Sequence, residues 1–268
     1  MSDATPASLA TLVGDRLGES GHLLLVTDYD GTLTPIVPTA GEAWLPGAVR
    51  DDLEALARSP RSHVAIVSGR DLADLRERVV VPEAIYGGCH GLQIEGPGMS
   101  FRHPEALGLQ ETLSALGLAL SVRARAVPGM RVERKPFGVA VHYRQVAPAQ
   151  VKRVEIEVAR ALRQGGSRFR SLRGHEVVEI QPKVSWTKGD CVQWIRDRVR
   201  STSRGRVELL CIGDDRTDEE MFEALAGQAI TVRVADHVVD SHATHRLPDV
   251  ASVQRLIARL AGWAKEGR

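Results

Sequence analysis

The chain is poor in cysteine, in net charge and in long apolar runs, and each shortage removes a class of protein. Its three cysteines, Cys89, Cys191 and Cys211, stand far apart. Neither a disulfide framework nor a clustered zinc site is expected, and a reducing cytoplasm is the simplest setting. Lys and Arg number 35 against 34 Asp and Glu, for a formal charge of +1. That balance lacks the basic footprint of a nucleic-acid binder, so an anionic ligand must be met by local groups. No apolar run approaches the about 20 residues that span a bilayer. Early acids at Asp3 and Asp15 replace the basic-then-apolar start of an export signal, so neither membrane insertion nor export is expected. What is present is 268 residues, 43% hydrophobic and 26% charged. This is the makeup of a globular protein with chain enough for two domains or one large α/β unit.

Three continuous apolar runs carry the architecture: residues 23–27 (LLLVT), 63–68 (HVAIVS) and 207–212 (VELLCI). Each is Leu-rich or β-branched and ends at polar residues, as strands buried on both faces of a parallel sheet do. Between the first two, residues 48–59 repeat Val49, Leu53, Leu56 and Ala57 at helical spacing behind Pro46 and Gly47, which implies a strand, helix, strand crossover. Further helices are expected over residues 187–199 and 250–264. The middle differs. Residues 132–144 (VERKPFGVAVHYR) place two strand-like stretches around a Pro136-Phe137-Gly138 turn, residues 150–163 have a helical pattern, and residues 176–181 (EVVEIQ) alternate as a strand. The expected fold class is α/β: a parallel-sheet core over residues 1–103 and 183–268, with an inserted α+β block of αββ type over residues 104–182.

Candidate chemistry gathers at the strand ends. Asp28 and Asp30, separated by one residue, follow the first strand, where open α/β sheets bind ligands. One carboxylate there can attack phosphorus while its neighbour moves protons. Gly31 and Thr32 let backbone approach an anion. The bland alternative is an Asp-x-Asp-Gly turn or calcium-loop fragment, and Pro35-Ile36-Val37 stands where an EF-hand needs more oxygen ligands. Ser68, Gly69 and Arg70 end the second strand, where a hydroxyl and backbone N–H groups grip phosphate, or where they merely cap a helix. Lys188 opens a helix, as a phosphate neutraliser or a solvated charge. Asp214, Asp215, Asp218 and Glu219 crowd the end of the third strand, which implies a cation among them or an acidic helix N-terminus. With no His or Cys nearby, hard carboxylate oxygens favour magnesium.

On these residues the chain resembles a known family. DYDGTLTPIV, VSGR, the lysine of TKGD and IGDDRTDEEMF are similar to the four motifs of haloacid dehalogenase superfamily phosphatases. With YGGCHGLQIEG, VERKPFGVAVHYR and VVEIQP they resemble the trehalose-6-phosphate phosphatase family, from about Leu23 to the last helix. The resemblance implies a Rossmann-like core and a mobile αββ-type cap that closes over the substrate. It implies Asp28 as nucleophile, Asp30 as acid and base, and Mg2+ held by Asp28, the Asp30 carbonyl and Asp214. Asp215 and Asp218 would support the metal site, while Ser68 and Lys188 would hold the phosphoryl group. In the cap, Glu133, Lys135 and Glu179 match the family's sugar contacts. His142, Arg144, Arg70 and His175 are further substrate-binding candidates. Where the family usually carries Gly-Lys before V-x-E, this chain has Gly174-His175. Trp44 and His90 stand beside the core crevice, as entrance or as packing residues.

The implied activity is magnesium-dependent hydrolysis of trehalose 6-phosphate after a trehalose-phosphate synthase, with no nucleic acid and no membrane as partner. Three alternatives stand beside it: the same chemistry on another sugar phosphate, such as glucosylglycerol phosphate or a pseudo-trehalose phosphate; a silent sugar-phosphate sensor; and a mutase that passes the phosphoryl group to a sugar.

Overall fold

Leu23, Leu24, Leu25 and Val26 are all buried, as a strand covered on both faces requires. They belong to the first of two compact units in a computed structural model that describes residues 1–37, 40–174 and 176–265. That unit is Met1–Phe101 with Trp186–Arg268, and the second is Arg102–Ser185. In chain order the elements are β1 (Ser2–Asp3), α1 (Pro6–Leu17), β2 (His22–Thr27), α2 (Gly47–Arg58), β3 (Ser62–Val67), α3 (Leu72–Val79), β4 (Ile85–Gly88), β5 (Gln93–Gly96) and β6 (Met99–Arg102). Then come α4 (Pro104–Leu107), α5 (Gln110–Ala124), β7 (Arg131–Lys135), β8 (Gly138–His142), α6 (Val151–Gly165), β9 (Phe169–Gly174) and β10 (Val177–Pro182). The chain closes with α7 (Lys188–Thr202), β11 (Val207–Gly213), α8 (Arg216–Ala224), β12 (Ile230–Val234), β13 (His245–Leu247) and α9 (Val250–Lys265).

The first unit is built on a sheet of order β1-β13-β12-β11-β2-β3-β4-β5-β6, parallel from β1 to β4 and antiparallel where β4 meets β5. Side chains alternate across β2. Leu23 and Leu25 pack with α1, α2, α3 and α9 residues such as Val13, Leu53, Leu75 and Leu256. Leu24 and Val26 pack with Val192, Ile195, Met221 and Phe222 of α7 and α8. The layered α/β core expected from the apolar runs is therefore present. β2 lies between β11 and β3, whose connections leave in opposite directions, so the carboxyl end of β2 is a topological switch point.

The second unit has a four-stranded antiparallel sheet of order β7-β8-β10-β9. Leu113, Leu116 and Leu120 of α5 and Val154 and Val158 of α6 pack on Val139, Val141, Val178 and Ile180. The Pro136-Phe137-Gly138 hairpin is present, with Lys135 opposite Gly138. The α+β block holds the αββ pattern twice, and β9 is the strand the sequence does not announce. It lies at the sheet edge, and five of its six residues are exposed. Its FRSLRG run therefore lacks apolar alternation, and its arginines discourage edge pairing. Among the described residues, no helix is long and apolar enough to cross a membrane.

Candidate active site

Asp28 leaves β2 at the switch point, and its backbone N–H donates to the carbonyl of Ile212 on β11 at 3.0 Å. The residue is 6% exposed. Lys188 reaches it from the first turn of α7, with Nζ 3.0 Å from Asp28 Oδ1 and 2.6 Å from Asp218 Oδ1. A capping box between Thr187 and Asp190 fixes that turn, which sets where the lysine begins its reach. A cation at a helix N-terminus opposes the helix dipole, so the two carboxylates must hold it there. Burial works against the Lys188 charge, yet Asp218 and Asp28 outweigh it and raise its pKa. Burial pushes Asp28 well above the usual carboxylate range, against the pull of Lys188 and with the repulsion of Asp218 and Asp214.

One oxygen from each of Asp28, Asp214 and Asp218 lies within 4.8 Å of the others. The three do not present themselves alike. Asp218, fully buried, accepts Lys188 at Oδ1 and the backbone N–H groups of Asp214 and Asp215 at Oδ2, at 2.9 and 3.0 Å. The loop wraps so tightly that a Cβ at Gly213 would lie 2.1 Å from Asp218 Cγ. Asp214 accepts the Thr32 hydroxyl at 2.8 Å. Burial pushes it up to about 6, with Thr32 opposing and Asp218 and Asp215 adding to the rise. Asp215 is the N-cap of α8, accepting from the N–H groups of Thr217 and Asp218. The donor set is all hard oxygen and short of positive charge, which fits a magnesium-sized cation.

Asp30 takes another direction. Arg70 Nε donates to its Oδ2 at 2.6 Å and Nη2 to its Oδ1 at 2.7 Å, a two-bond clamp. Arg70 is itself 9% exposed, with its guanidinium over the Tyr29 ring. Gly31 sits at φ +83°, and a Cβ there would come within 2.1 Å of Asp214 Oδ2. Its N–H donates to the Thr34 carbonyl at 2.7 Å, and Thr32 is fully buried. Ser68 is buried, with its N–H on Gly87 O and its hydroxyl accepting from Arg70 N at 3.2 Å. Asp71, and not Ser68 or Gly69, caps α3. Gly69 packs under the His90 ring. Trp44 is 53% exposed, with Arg78 stacked over it.

In the second unit, strand register puts Glu133 and Glu179 on either side of Ala140. Glu133, Lys135, His142 and Glu179 thus share the sheet face opposite the one that α5 and α6 cover. His142 Nε2 bonds Glu133 Oε2 at 2.9 Å, and Lys135 Nζ donates to Glu179 Oε1 at 3.3 Å. Arg144 is turned to Glu176 at 2.8 Å. His175 lies outside the described residues.

Sequence reasoning passed over Tyr29, Asp74 and Arg78, which surround the Asp30 clamp. Tyr29 looks like an apolar spacer between two acids, and its hydroxyl instead donates to Ala43 O at 2.9 Å. Asp74 and Arg78 form an i, i+4 pair. That i, i+4 spacing of opposite charges is the signal the sequence offers for them.

This arrangement, acids at the carboxyl end of the strand at a switch point with a buried lysine beside them, defines the class: the fold is that of haloacid dehalogenase-like hydrolases. One such hydrolase from Bacteroides thetaiotaomicron superposes with a TM-score of 0.62 at 14% identity, over 89% of this chain and 99% of that one. The trehalose-phosphatase family model matches residues 26–251, and the chain belongs to that family. It is 38% identical over 233 residues to the trehalose-phosphate phosphatase of Mycobacterium avium, covering 85% of this chain and 57% of that protein. Against the Mycobacterium tuberculosis trehalose-phosphate phosphatase it is 35% identical over 247 residues, covering 89% and 61%. The chain thus spans about three fifths of the length of these curated relatives. The trehalose-6-phosphate phosphatase of Aspergillus fumigatus has a TM-score of 0.64 at 26% identity, over 98% and 99% of the two chains.

Proposed function

We propose that this protein hydrolyses trehalose 6-phosphate to trehalose and inorganic phosphate through an aspartyl-phosphate on Asp28. The observation that carries the reading is buried Lys188 bridging Asp28 and Asp218 at the switch point, in a chain of the trehalose-phosphatase family. An Asp28 oxygen attacks phosphorus as the bond to the sugar oxygen breaks, and Asp30 gives that oxygen its proton. Asp30, now a carboxylate, takes a proton from the water that attacks the phosphorus, which frees phosphate and restores Asp28. Lys188 and the Ser68 hydroxyl hold the phosphoryl oxygens, so that positioning and charge neutralisation supply most of the acceleration.

Magnesium is the proposed cofactor. Asp28, Asp214 and the Asp30 carbonyl would hold it. Asp218, whose oxygens are taken by Lys188 and two N–H groups, and Asp215, which caps α8, suit the support of those ligands. When bound, the ion neutralises charge on the phosphoryl group and the nucleophile. Glu133, Lys135 and Glu179 contact sugar hydroxyls in this reading, with His142 and Arg144 beside them. The relatives' names support the substrate, and a trehalose-phosphate synthase would supply it. Cys89, Cys191 and Cys211, all buried, are compatible with a reducing cytoplasm.

The test is phosphate release from trehalose 6-phosphate with magnesium and with chelator, beside Asp28→Asn. Magnesium-dependent release that the variant loses supports substrate and nucleophile together. Release far higher from another sugar phosphate overturns the substrate, and steady turnover by Asp28→Asn overturns the nucleophile.

A further inference from the structure

Asp74 and Arg78 lie on α3, outside every motif that points to phosphoryl transfer. They nonetheless complete a chain of alternating charges that ends on Asp30. Arg70 spends two nitrogens on Asp30 and donates its third, Nη1, to Asp74 Oδ2 at 2.7 Å. The other oxygen of Asp74 accepts Arg78 Nε at 2.8 Å. Arg78, 8% exposed, then donates through Nη1 to the carbonyls of Gly41 at 3.1 Å and Ala43 at 3.3 Å. The Tyr29 hydroxyl donates to that same Ala43 carbonyl. Asp30 is therefore held from two directions, by its own side chain through Arg70 and by its chain neighbour through Tyr29, and both lines end on the segment around Ala43.

Stability alone is a poor reason for this arrangement, because burying ions costs as much as their attraction returns and apolar packing serves as well. Direction is the better reason. A carboxyl offers about four lone-pair directions, and the Arg70 fork takes one on each oxygen. The remaining directions stay open to a leaving-group oxygen and to water. Arg70 can keep that aim only while Asp74 fixes its far nitrogen, and Asp74 only while Arg78 fixes the opposite oxygen.

We propose that Asp74 and Arg78 are positioning residues for leaving-group protonation, acting through Arg70 to set the direction in which Asp30 presents its carboxyl. The proposal rests on the reading of Asp30 as the acid of a phosphatase. As the P–O bond breaks, the proton passes from the Asp30 carboxyl to the sugar oxygen. An alkoxide needs that proton and a nitrophenolate leaves without it, so the two kinds of ester separate positioning from general damage.

The experiment compares kcat/KM for trehalose 6-phosphate and for p-nitrophenyl phosphate, with magnesium, in the full chain and in Asp74→Asn and Arg78→Lys. This ratio covers steps up to leaving-group departure, so hydrolysis of the aspartyl-phosphate, common to both esters, does not enter. The expected result is a loss of about 10- to 100-fold on the sugar phosphate and less than about threefold on the aryl ester. Arg76→Gln, which removes an exposed charge paired with Glu95 from the same helix, should leave both unchanged. Equal losses on the two esters, or no loss on either, overturn the proposal. If Asp74→Asn does not fold, Asp74→Glu, which keeps the charge and displaces it by one methylene, is read by the same comparison. Wild-type protein that turns over neither ester, or the aryl ester alone, instead overturns the reading on which the proposal rests.

Discussion

Lys188 and Asp28 form an ion pair at 3.0 Å whose side chains are 1% and 9% exposed. The same ammonium serves Asp218, so its removal leaves a cluster of buried carboxylates without their cation. Lys188→Met keeps most of the volume and deletes the charge. Unfolding by urea at neutral pH should show a loss of about 3–5 kcal/mol, the usual result of breaking a buried pair from one side. Lys265→Met, on the exposed face of α9, should stay within about 0.5 kcal/mol of the parent. A loss below about 1 kcal/mol in Lys188→Met would mean that the carboxylates take up protons at little cost, and that the lysine is not what holds this corner together.

Gly31 has a positive φ and faces Asp214 so closely that any Cβ must displace it. Gly31→Ala should cost about 1–3 kcal/mol in strain and lower phosphatase turnover more than substrate affinity, because the displaced group is a proposed metal ligand. Titration of activity with magnesium checks the point: the variant should need more of the ion for half-maximal rate. An unchanged magnesium requirement would remove Asp214 from that role.

His63 stacks on His22 at 6.3 Å between ring centroids, and burial, with His22 beside it, pushes its pKa down. The unfolded chain, with His near 6.5, binds the proton more readily than the folded one. Its stabilising contribution is therefore present above about pH 6.5 and is lost as pH falls toward the folded pKa. Urea midpoints measured from pH 7.5 to 5 should decline, and His63→Asn should decline less steeply. Parallel curves for the two proteins would show that other groups set the slope.

Lys135 donates to Glu179 on a sheet face that the helices leave uncovered. Lys135→Ala should reduce kcat/KM for trehalose 6-phosphate by about tenfold or more, the scale of a lost charged hydrogen bond. For p-nitrophenyl phosphate the effect should be small. Equal losses on both substrates would place Lys135 outside sugar recognition.

Local signals made the core legible in the sequence. LLLVT, HVAIVS and VELLCI are mainly apolar because both faces of a parallel strand are covered, Glu208 being paired with Arg16 and Arg206, and polar residues must appear where each strand ends. That coincidence puts Asp28, Ser68 and Asp214 just past the ends of their strands. β9 stayed illegible because an edge strand of arginines carries no burial pattern. The chain also could not say where each carboxylate aims. Asp28 and Asp30 are two residues apart in a shared motif, yet the first meets Lys188 and the second meets Arg70.

The three buried core strands, the address of the proposed nucleophile and the acid-rich third strand end were set by the sequence itself, through hydrophobic continuity and residue type. Only the tertiary structure decided the long-range pairs. Asp74 meets Arg70 and Arg78 by i, i+4 spacing, but Asp30 meets Arg70 because β2 and β3 run side by side, and Lys188 meets Asp28 and Asp218 across the fold. Coulomb attraction and desolvation act between atoms in space, and no local pattern along the chain encodes those longer reaches.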